Sequence, residues 1–388
     1  MNGYLHTNNL LRQNNGKLIL QDIFNSGVTT RAQVARDLSL NKSTVSSIYN
    51  DLIKTRIIRE GGDGESSTNG GRKPTLVSIN GRNGYTISFD IAYNNLHYMV
   101  NYLDGEIIKH ESIMINNNIH EILKLIDNII NNLENFISSE NGLLGIAISY
   151  HGVVSNNQII SSPFLNLDNV DLNDYFQTKY PNVIFVIDNE SNLTAVYERD
   201  FEHEMDTNNS ITISIHKGIG AGIIIDKKVF RGSTGESGEI GNSLTVLPNG
   251  KVTKIEDVCS EDAIITLIEQ KIGKSLDRNE IVKLYNDNNK IVIENITQFI
   301  NIMSLNIYNL SKSFNPQSIF ISSPLIEQIP EILTKINHRI SNFSNNFDAH
   351  IYLINNSVKA TLLGACSLIT HSVLNLQGYE LNFSNKKD

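Results

Sequence analysis

The sequence predicts a winged helix-turn-helix placed ahead of a larger α/β domain built as two lobes around a cleft. Three observations predict it. Residues 29–59 read as two short helices, a turn and the first strand of a hairpin; a Gly- and Ser-rich basic segment interrupts that hairpin; and two successive hairpin-plus-helix units follow from Gly84 onward. At 388 residues and 40% hydrophobic content, the chain is long enough for a DNA-binding module plus one large or two medium units with their own cores.

In the first module, Leu18, Ile19, Leu20, Ile23 and Phe24 mark a leading helix. Thr30 and Gln33 form a capping-box pair ahead of Val34, Ala35 and Leu38, and Ser39 to Asn41 make the turn. Asn41 is placed to cap a helix with Val45, Ile48, Leu52 and Ile53 on one stripe. Its opposite side, with Lys42, Ser43, Thr44, Ser46, Ser47, Asn50 and Lys54, is small and polar, which suits plain solvation or a major groove read through short hydroxyls and an amide. Ile57 and Ile58 are expected to pair with Leu76, Val77 and Ile79 as a wing whose tip, GGDGESSTNGGRKP, is a mobile loop. Gly-Arg-Lys-Pro is flat and cationic, so Arg72 or Lys73 suits a narrow A/T-rich minor groove, or else a basic linker.

Charge divides the chain in the same way. Residues 1–82 carry 11 Lys and Arg against 6 Asp and Glu, whereas the rest carries 21 against 35, so nucleic-acid contact must come through the first eighty residues. No apolar run reaches the roughly 18 residues of a membrane span, and MNGYLHTNNLLRQNNGK lacks a signal-peptide stretch, which points to a cytoplasmic protein without membrane contact. Cys259 and Cys366 stand far apart, outside any CxxC spacing, and read as buried small residues.

From Gly84, Tyr85 to Ile91, Leu96 to Leu103 and Ile107 to Ile115 are β-rich. A helix follows with Ile122, Leu123, Ile126, Ile129, Ile130, Leu133 and Phe136 on its buried side. LLGIAISY is a buried strand, followed by an irregular loop, a strand at VIFVI, and a helix from Glu190 toward Glu204. The theme restarts with strands ITISI and GAGIIID, helices across much of 260–313, strands SIFIS and IYLI with a helix between, and a last helix over 358–374. The expected domains are 1–82, a first lobe of 83–192 plus 358–388, and a second lobe of 193–357.

NKSTVSS, GGRKP, DNESN, GIGAGIIID, FRGSTGESGEIGN and FNPQSIFIS, in this order and spacing, resemble the ROK family of bacterial repressors and sugar kinases. The first eighty residues are most similar to its xylose-operon regulators from low-GC Gram-positive bacteria. The resemblance implies an actin-like, ribonuclease-H-type two-lobed fold, a homodimer on a palindromic operator, and release by a sugar in the interlobe cleft, D-xylose or a related monosaccharide. By motif position, Asn189, Glu190, Glu239, Asn242 and Glu256, with Asn166 in the loop after Pro163, resemble the hydroxyl-binding set, and carboxylates and amides suit a polyol.

Departures from the family bear on catalysis and metal. Asp90 is followed by Ala92 and Tyr93 where a kinase brings bare backbone to phosphate; the kinase aspartate is Glu190 here; the second phosphate turn is His216-Lys217-Gly218; and Ser322, Ser323 and Pro324 replace a double glycine. No ATP and no enzymatic activity are expected. Asn242 and LPNGKVTKIEDV stand where many members carry the His and three Cys of a zinc site, so no zinc is expected, and the 243–255 loop should be held by packing alone with Glu256 loosely placed. Gly152 in place of the usual Pro should loosen its loop. A sugar kinase with a DNA-binding appendage, and a regulator answering to a protein partner instead of a sugar, remain the alternatives.

Overall fold

The computed structural model describes residues 2–63, 73–134, 136–202, 208–344 and 347–383. Helix α1 (Asn2–Ser26) buries Ile19, Leu20, Ile23 and Phe24, while Leu18, expected with them, stays 36% exposed at the edge of that stripe. Strand β1 (Thr29–Thr30) leads into α2 (Arg31–Asp37), where Thr30 accepts the Gln33 backbone N–H at 3.2 Å. The Gln33 amide donates to Asp37 at 2.6 Å, so it serves its own helix. Asn41 sits at the N-cap of α3 (Lys42–Lys54) without a side-chain capping bond. Strands β2 (Ile58–Asp63) and β3 (Thr75–Ile79) form the wing, with Ile58 opposite Ile79 and Glu60 opposite Val77. Gly61 to Asp63, expected in a mobile tip, continue β2 beyond a register shift; the rest of that tip, 64–72, lies outside the described residues. β1 adds a third strand, in order β1-β3-β2. Tyr49 ties the head together: its hydroxyl donates to Glu60 at 2.9 Å, and the Arg31 guanidinium lies over its ring at 4.0 Å.

The chain continues through β4 (Tyr85–Ile91), β5 (Asn95–Tyr102), β6 (Ile107–Met114), α4 (Ile119–Glu134), β7 (Leu143–Tyr150), the hairpin β8 (Val153–Ser155) and β9 (Gln158–Ser161), α5 (Leu172–Lys179) and β10 (Ile184–Asn189). Because α4 ends at Glu134, Phe136 leaves its apolar stripe and is 83% exposed, contrary to expectation. Next come α6 (Glu190–Phe201), β11 (Ser210–Ile215), β12 (Ile219–Ile225), β13 (Lys228–Val229), β14 (Leu244–Val246), β15 (Val252–Lys254), α7 (Glu256–Cys259), α8 (Glu261–Ile272), α9 (Arg278–Asn286) and α10 (Lys290–Phe314). The described chain closes with β16 (Ser318–Ser322), α11 (Pro324–Gln328), α12 (Glu331–Ser341), β17 (His350–Leu353) and α13 (Ser357–Val373). Helix α6 stops at Phe201; the expected extension to Glu204 runs into residues outside the description.

Two compact units result. One holds 1–149, 162–187 and 365–388; the other holds 150–161 and 188–364. The head thus belongs to the same unit as the first sheet; the chain changes unit at 187/188 and 364/365 where 192/193 and 357/358 were expected, and 150–161, expected in the first lobe, falls in the second unit. The first unit's sheet runs β10-β7-β4-β5-β6 and the second's β13-β12-β11-β16-β17. Read from the hairpin end, both have the order third, second, first, fourth, fifth, so the same supersecondary unit is used twice. The second core is dominated by Ile, with Ile213, Ile296, Ile319, Ile326 and Ile336 all buried.

Two attachments fix the head within its unit. At the end of α3, Arg56 ion-pairs with Glu140 at 3.2 Å, and its carbonyl accepts from the Asn80 and Asn83 amides at 2.9 and 3.1 Å. At α1, Phe24 meets Phe383 edge-to-face at 4.9 Å, Gln21 and Asn25 donate to the Glu380 carbonyl, and the Asn382 N–H donates to Asn25 Oδ1 at 2.8 Å. Phe383 is fully buried. Phe383→Ala should cost about 3 kcal/mol of local stability, read as faster hydrogen exchange across 17–26; unchanged exchange there would mean the tail does not hold α1.

Candidate functional site

At the junction of β10 and α6, sequence and geometry converge. Asn189 is the N-cap of α6: its Oδ1 accepts the Ser191 and Asn192 N–H groups at 2.9 and 3.4 Å, and its Nδ2 donates to the Gly152 carbonyl at 2.7 Å. That bond pins the loop expected to be loose, so an amide supplies the restraint a Pro would otherwise give. Glu190 follows in the first turn, where the helix N-terminus favours a carboxylate. It is 6% exposed and accepts hydroxyls from Ser191 at 3.2 Å, Thr194 at 3.3 Å and Ser214 at 3.1 Å, with Thr361 at 3.5 Å and His216 Nε2 at 3.6 Å. His216 also lies 3.4 Å from Ser322 Oγ and edge-on to His151. Behind the junction, Arg231 holds the buried Asp188 carboxylate with two bonds, at 2.8 and 2.6 Å, and Asn192 donates to the same group.

Strand β12 borders a second polar cluster. The Ala221 N–H donates to the Gly238 carbonyl at 2.8 Å, setting the turn that carries Glu239 and Asn242. Asn242 donates to Glu239 at 3.3 Å and accepts from Lys254 Nζ at 2.6 Å, and the same ammonium lies 3.6 Å from Glu256. Burial, and then the Glu256 and Glu236 carboxylates, push the Glu239 carboxyl above its ordinary range; Asn242 and Lys254 act against that rise. The 243–255 segment is a β-hairpin, with Val246 opposite Val252 and Ile255 N–H donating to the Ser243 carbonyl. Ladder bonds and the Lys254 bridge hold it, correcting the expectation of packing alone and a loosely placed Glu256.

Of the expected effector residues, Asn189, Glu190, Glu239, Asn242 and Glu256 lie in the second unit. Asn166 lies in the first, on an exposed loop where its amide donates to Asp168 at 2.7 Å. Asp90, also in the first unit, accepts the Ser149 hydroxyl at 2.6 Å. Ser214, His216, Arg231, Lys254 and Thr361 were not among the expected effector-site residues; Arg231 lay within a quoted motif and His216 in the altered turn, whereas Thr361 offered no local signal. Among the described residues no cluster of metal-ligating side chains occurs.

On α3, Val45, Ile48 and Tyr49 are buried, whereas Lys42, Ser43, Ser47 and Asn50 are exposed and Thr44 and Ser46 partly covered. The polar face is therefore open. Lys73 is exposed ahead of β3; Arg72 lies outside the described residues.

Because Glu239 is raised, its folded pKa exceeds the unfolded one. Its share of stability is complete below the ordinary carboxylate pKa and is lost as pH rises through the raised value. Glu239→Gln should therefore raise the melting temperature at pH 7 to 8 and lose that advantage toward pH 4, as thermal melts across pH would read; a gain independent of pH would contradict this assignment.

With this geometry in place, comparison with known proteins becomes informative. The ROK family model matches residues 86–372. The chain is 42% identical to the xylose repressor of Lactiplantibacillus pentosus, over 96% of each chain, and 42% identical to that of Staphylococcus xylosus, over 97% of this chain and 99% of the relative. A solved ROK family transcriptional regulator, described as a homolog of the E. coli MLC protein, superposes with a TM-score of 0.78 at 22% identity, over 94% of this chain and 97% of that one. A ROK glucokinase from Streptomyces griseus, in complex with glucose and AMPPNP, gives 0.63 at 18% identity over 74% of this chain and 99% of its own. Matching over most of its length in sequence and in mixed α/β fold, the chain belongs to the ROK family.

Proposed function

We propose that this chain is a sugar-responsive transcriptional repressor. It binds its operator as a homodimer through winged helix-turn-helix heads, and D-xylose bound on the second unit releases it. The observation that carries the reading is the near full-length 42% identity to proteins named xylose repressors, which spans head and lobes together. In this reading the exposed face of α3, Lys42 to Asn50, enters the major groove, and Lys73 with Arg72 follows the minor groove. Glu190, Asn189, Glu239, Asn242 and Glu256 take the sugar hydroxyls.

The likeness to a glucokinase fold raises phosphoryl transfer as a second reading. The altered turns argue against it, since Ser323 is spent capping α11, Lys217 pairs with Asp262 at 3.4 Å, and His216 stands between Glu190 and Ser322. Titrating D-xylose into the full-length protein on an operator duplex, followed by fluorescence anisotropy, tests the proposal. A coupling of roughly 1 to 3 kcal/mol, or about 5- to 150-fold in operator affinity, is the ordinary scale for such a switch. Glu190→Gln should keep operator binding and abolish the sugar response, while Ser46→Glu should remove DNA binding and spare sugar binding. Xylose-dependent ATP turnover, or normal release of Glu190→Gln, would overturn this assignment.

A further inference from the structure

We infer that Arg12, on the leading helix, is a DNA-phosphate contact that extends the interface beyond α3 and the wing. The inference rests on the DNA-binding reading of the head. Helices α1 and α3 approach closely at Gly16, where a Cβ would lie 3.9 Å from Ile48 Cγ2. One turn earlier on α1, Arg12 reaches over the adjoining edge of α3, because residues four apart share a helix face. Its Nη2 donates to Ser47 Oγ at 3.1 Å and to Asp51 Oδ2 at 2.6 Å. Ser47 belongs to the face expected in the groove, so the guanidinium stands at its border.

Two features make this more than a surface ion pair. Asp51 is the one carboxylate on α3, and a bare carboxylate there would repel a phosphodiester backbone; Arg12, with Lys54 at 3.8 Å, neutralises it. Moreover, among the described residues the two contacts use only Nη2, and of the five N–H donors on the planar guanidinium three sit on Nη1 and Nε. Arg12 and Asp51 are both about half-exposed, at 50% and 55%, so water or an anion reaches those donors. A guanidinium already held by Ser47 and Asp51 loses little rotamer freedom when it meets phosphate, which is where Arg outperforms Lys.

The test uses full-length protein and a duplex enriched by the wild type from a random-sequence pool. Each lost phosphate contact lowers the slope of log affinity against log salt by about 0.9, so Arg12→Gln should lower it by nearly two for a dimer and weaken binding on the order of 10-fold or more at low salt. Asp51→Asn cuts the same helix-to-helix pair from the other side, yet should keep the steep slope and bind at least as tightly. Single methylphosphonates in the duplex add a chemical check: one position per half-site should weaken the wild type and leave Arg12→Gln indifferent. An unchanged slope in Arg12→Gln, equal weakening by Arg12→Gln and Asp51→Asn, or methylphosphonate penalties identical in both proteins would each assign Arg12 to packing of the head and overturn the inference. A wild type that enriches no duplex overturns the DNA-binding reading as well.

Discussion

Helix α6 lies on bare backbone, and the effector-site geometry depends on that approach. A Cβ at Gly222 of β12 would stand 2.2 Å from the Ser191 carbonyl oxygen, and one at Gly364 of α13 would stand 1.8 Å from that of Leu193. Backbone, unlike the tip of a flexible side chain, has nowhere to yield, so any larger residue at either position would lift the helix. The seating delivers the first turn of α6 into a ring of hydroxyls from three other places: Ser214 on β11, Thr361 on α13 and, through His216, Ser322 on β16. A buried carboxylate is tolerable only where donors surround it, and here the donors are short side chains on rigid elements. Asp188, one step behind, is held by Arg231, so two consecutive carboxylates flank Asn189 with separate partners.

The same economy bears on the proposed preference for an uncharged polyol over a nucleotide. Gripping a phosphate takes free N–H groups and cations that are not already spent. Several in this unit are already engaged: the Ile326 N–H donates to Ser323, the His216 backbone N–H donates to Gly218, and Lys254 bridges Asn242 and Glu256. What stands around the candidate site instead is Glu190 joined to hydroxyls, Asn189 joined to backbone, and Glu239, Asn242 and Glu256 joined to one another through an amide and the Lys254 ammonium. A sugar hydroxyl entering such a set exchanges one hydroxyl-to-carboxylate bond for another of the same kind, a small net change per contact, so selectivity must come from shape and from the number of contacts made together.

Much of the fold was legible because local patterning suffices for it. Helical stripes marked α3 and α4, apolar runs marked β4, β7, β11 and β16, and the repeated hairpin-plus-helix theme indicated two related lobes, whose shared strand order only the structure supplies. What escaped depended on partners remote in sequence. Helix α5 is only eight residues long and is anchored from α4, where Asp127 accepts from Tyr175, Lys179 and Tyr180. Tyr49 carried no expectation, because its partners Glu60 and Arg31 lie on other elements of the head. The β14–β15 hairpin is a different case: Asn249-Gly250 between Leu244, Val246 and Val252 is itself a strong turn signal. For the site, motif order indicated Asn189 and Glu190, but nothing local could indicate Thr361, 171 residues away.

The attachment of the head constrains how a signal can reach DNA. Head and first sheet form one compact unit, held at the end of α3 by Glu140, Asn80 and Asn83 and at α1 by the 380–383 segment. Arg56, the residue gripped there, has a left-handed backbone (φ 58°), which a non-glycine residue keeps only when its surroundings fix it. A flexible linker would let a head keep its hold whatever the first sheet did, whereas a clamped head must be carried with its own unit. Helix α13 begins in the second unit, where Gly364 seats α6, and ends in the first, from which the chain runs directly into the segment that grips α1. A Cβ at Gly364 would meet the α6 backbone, so a larger residue there would disturb the same helix whose far end leads to the head.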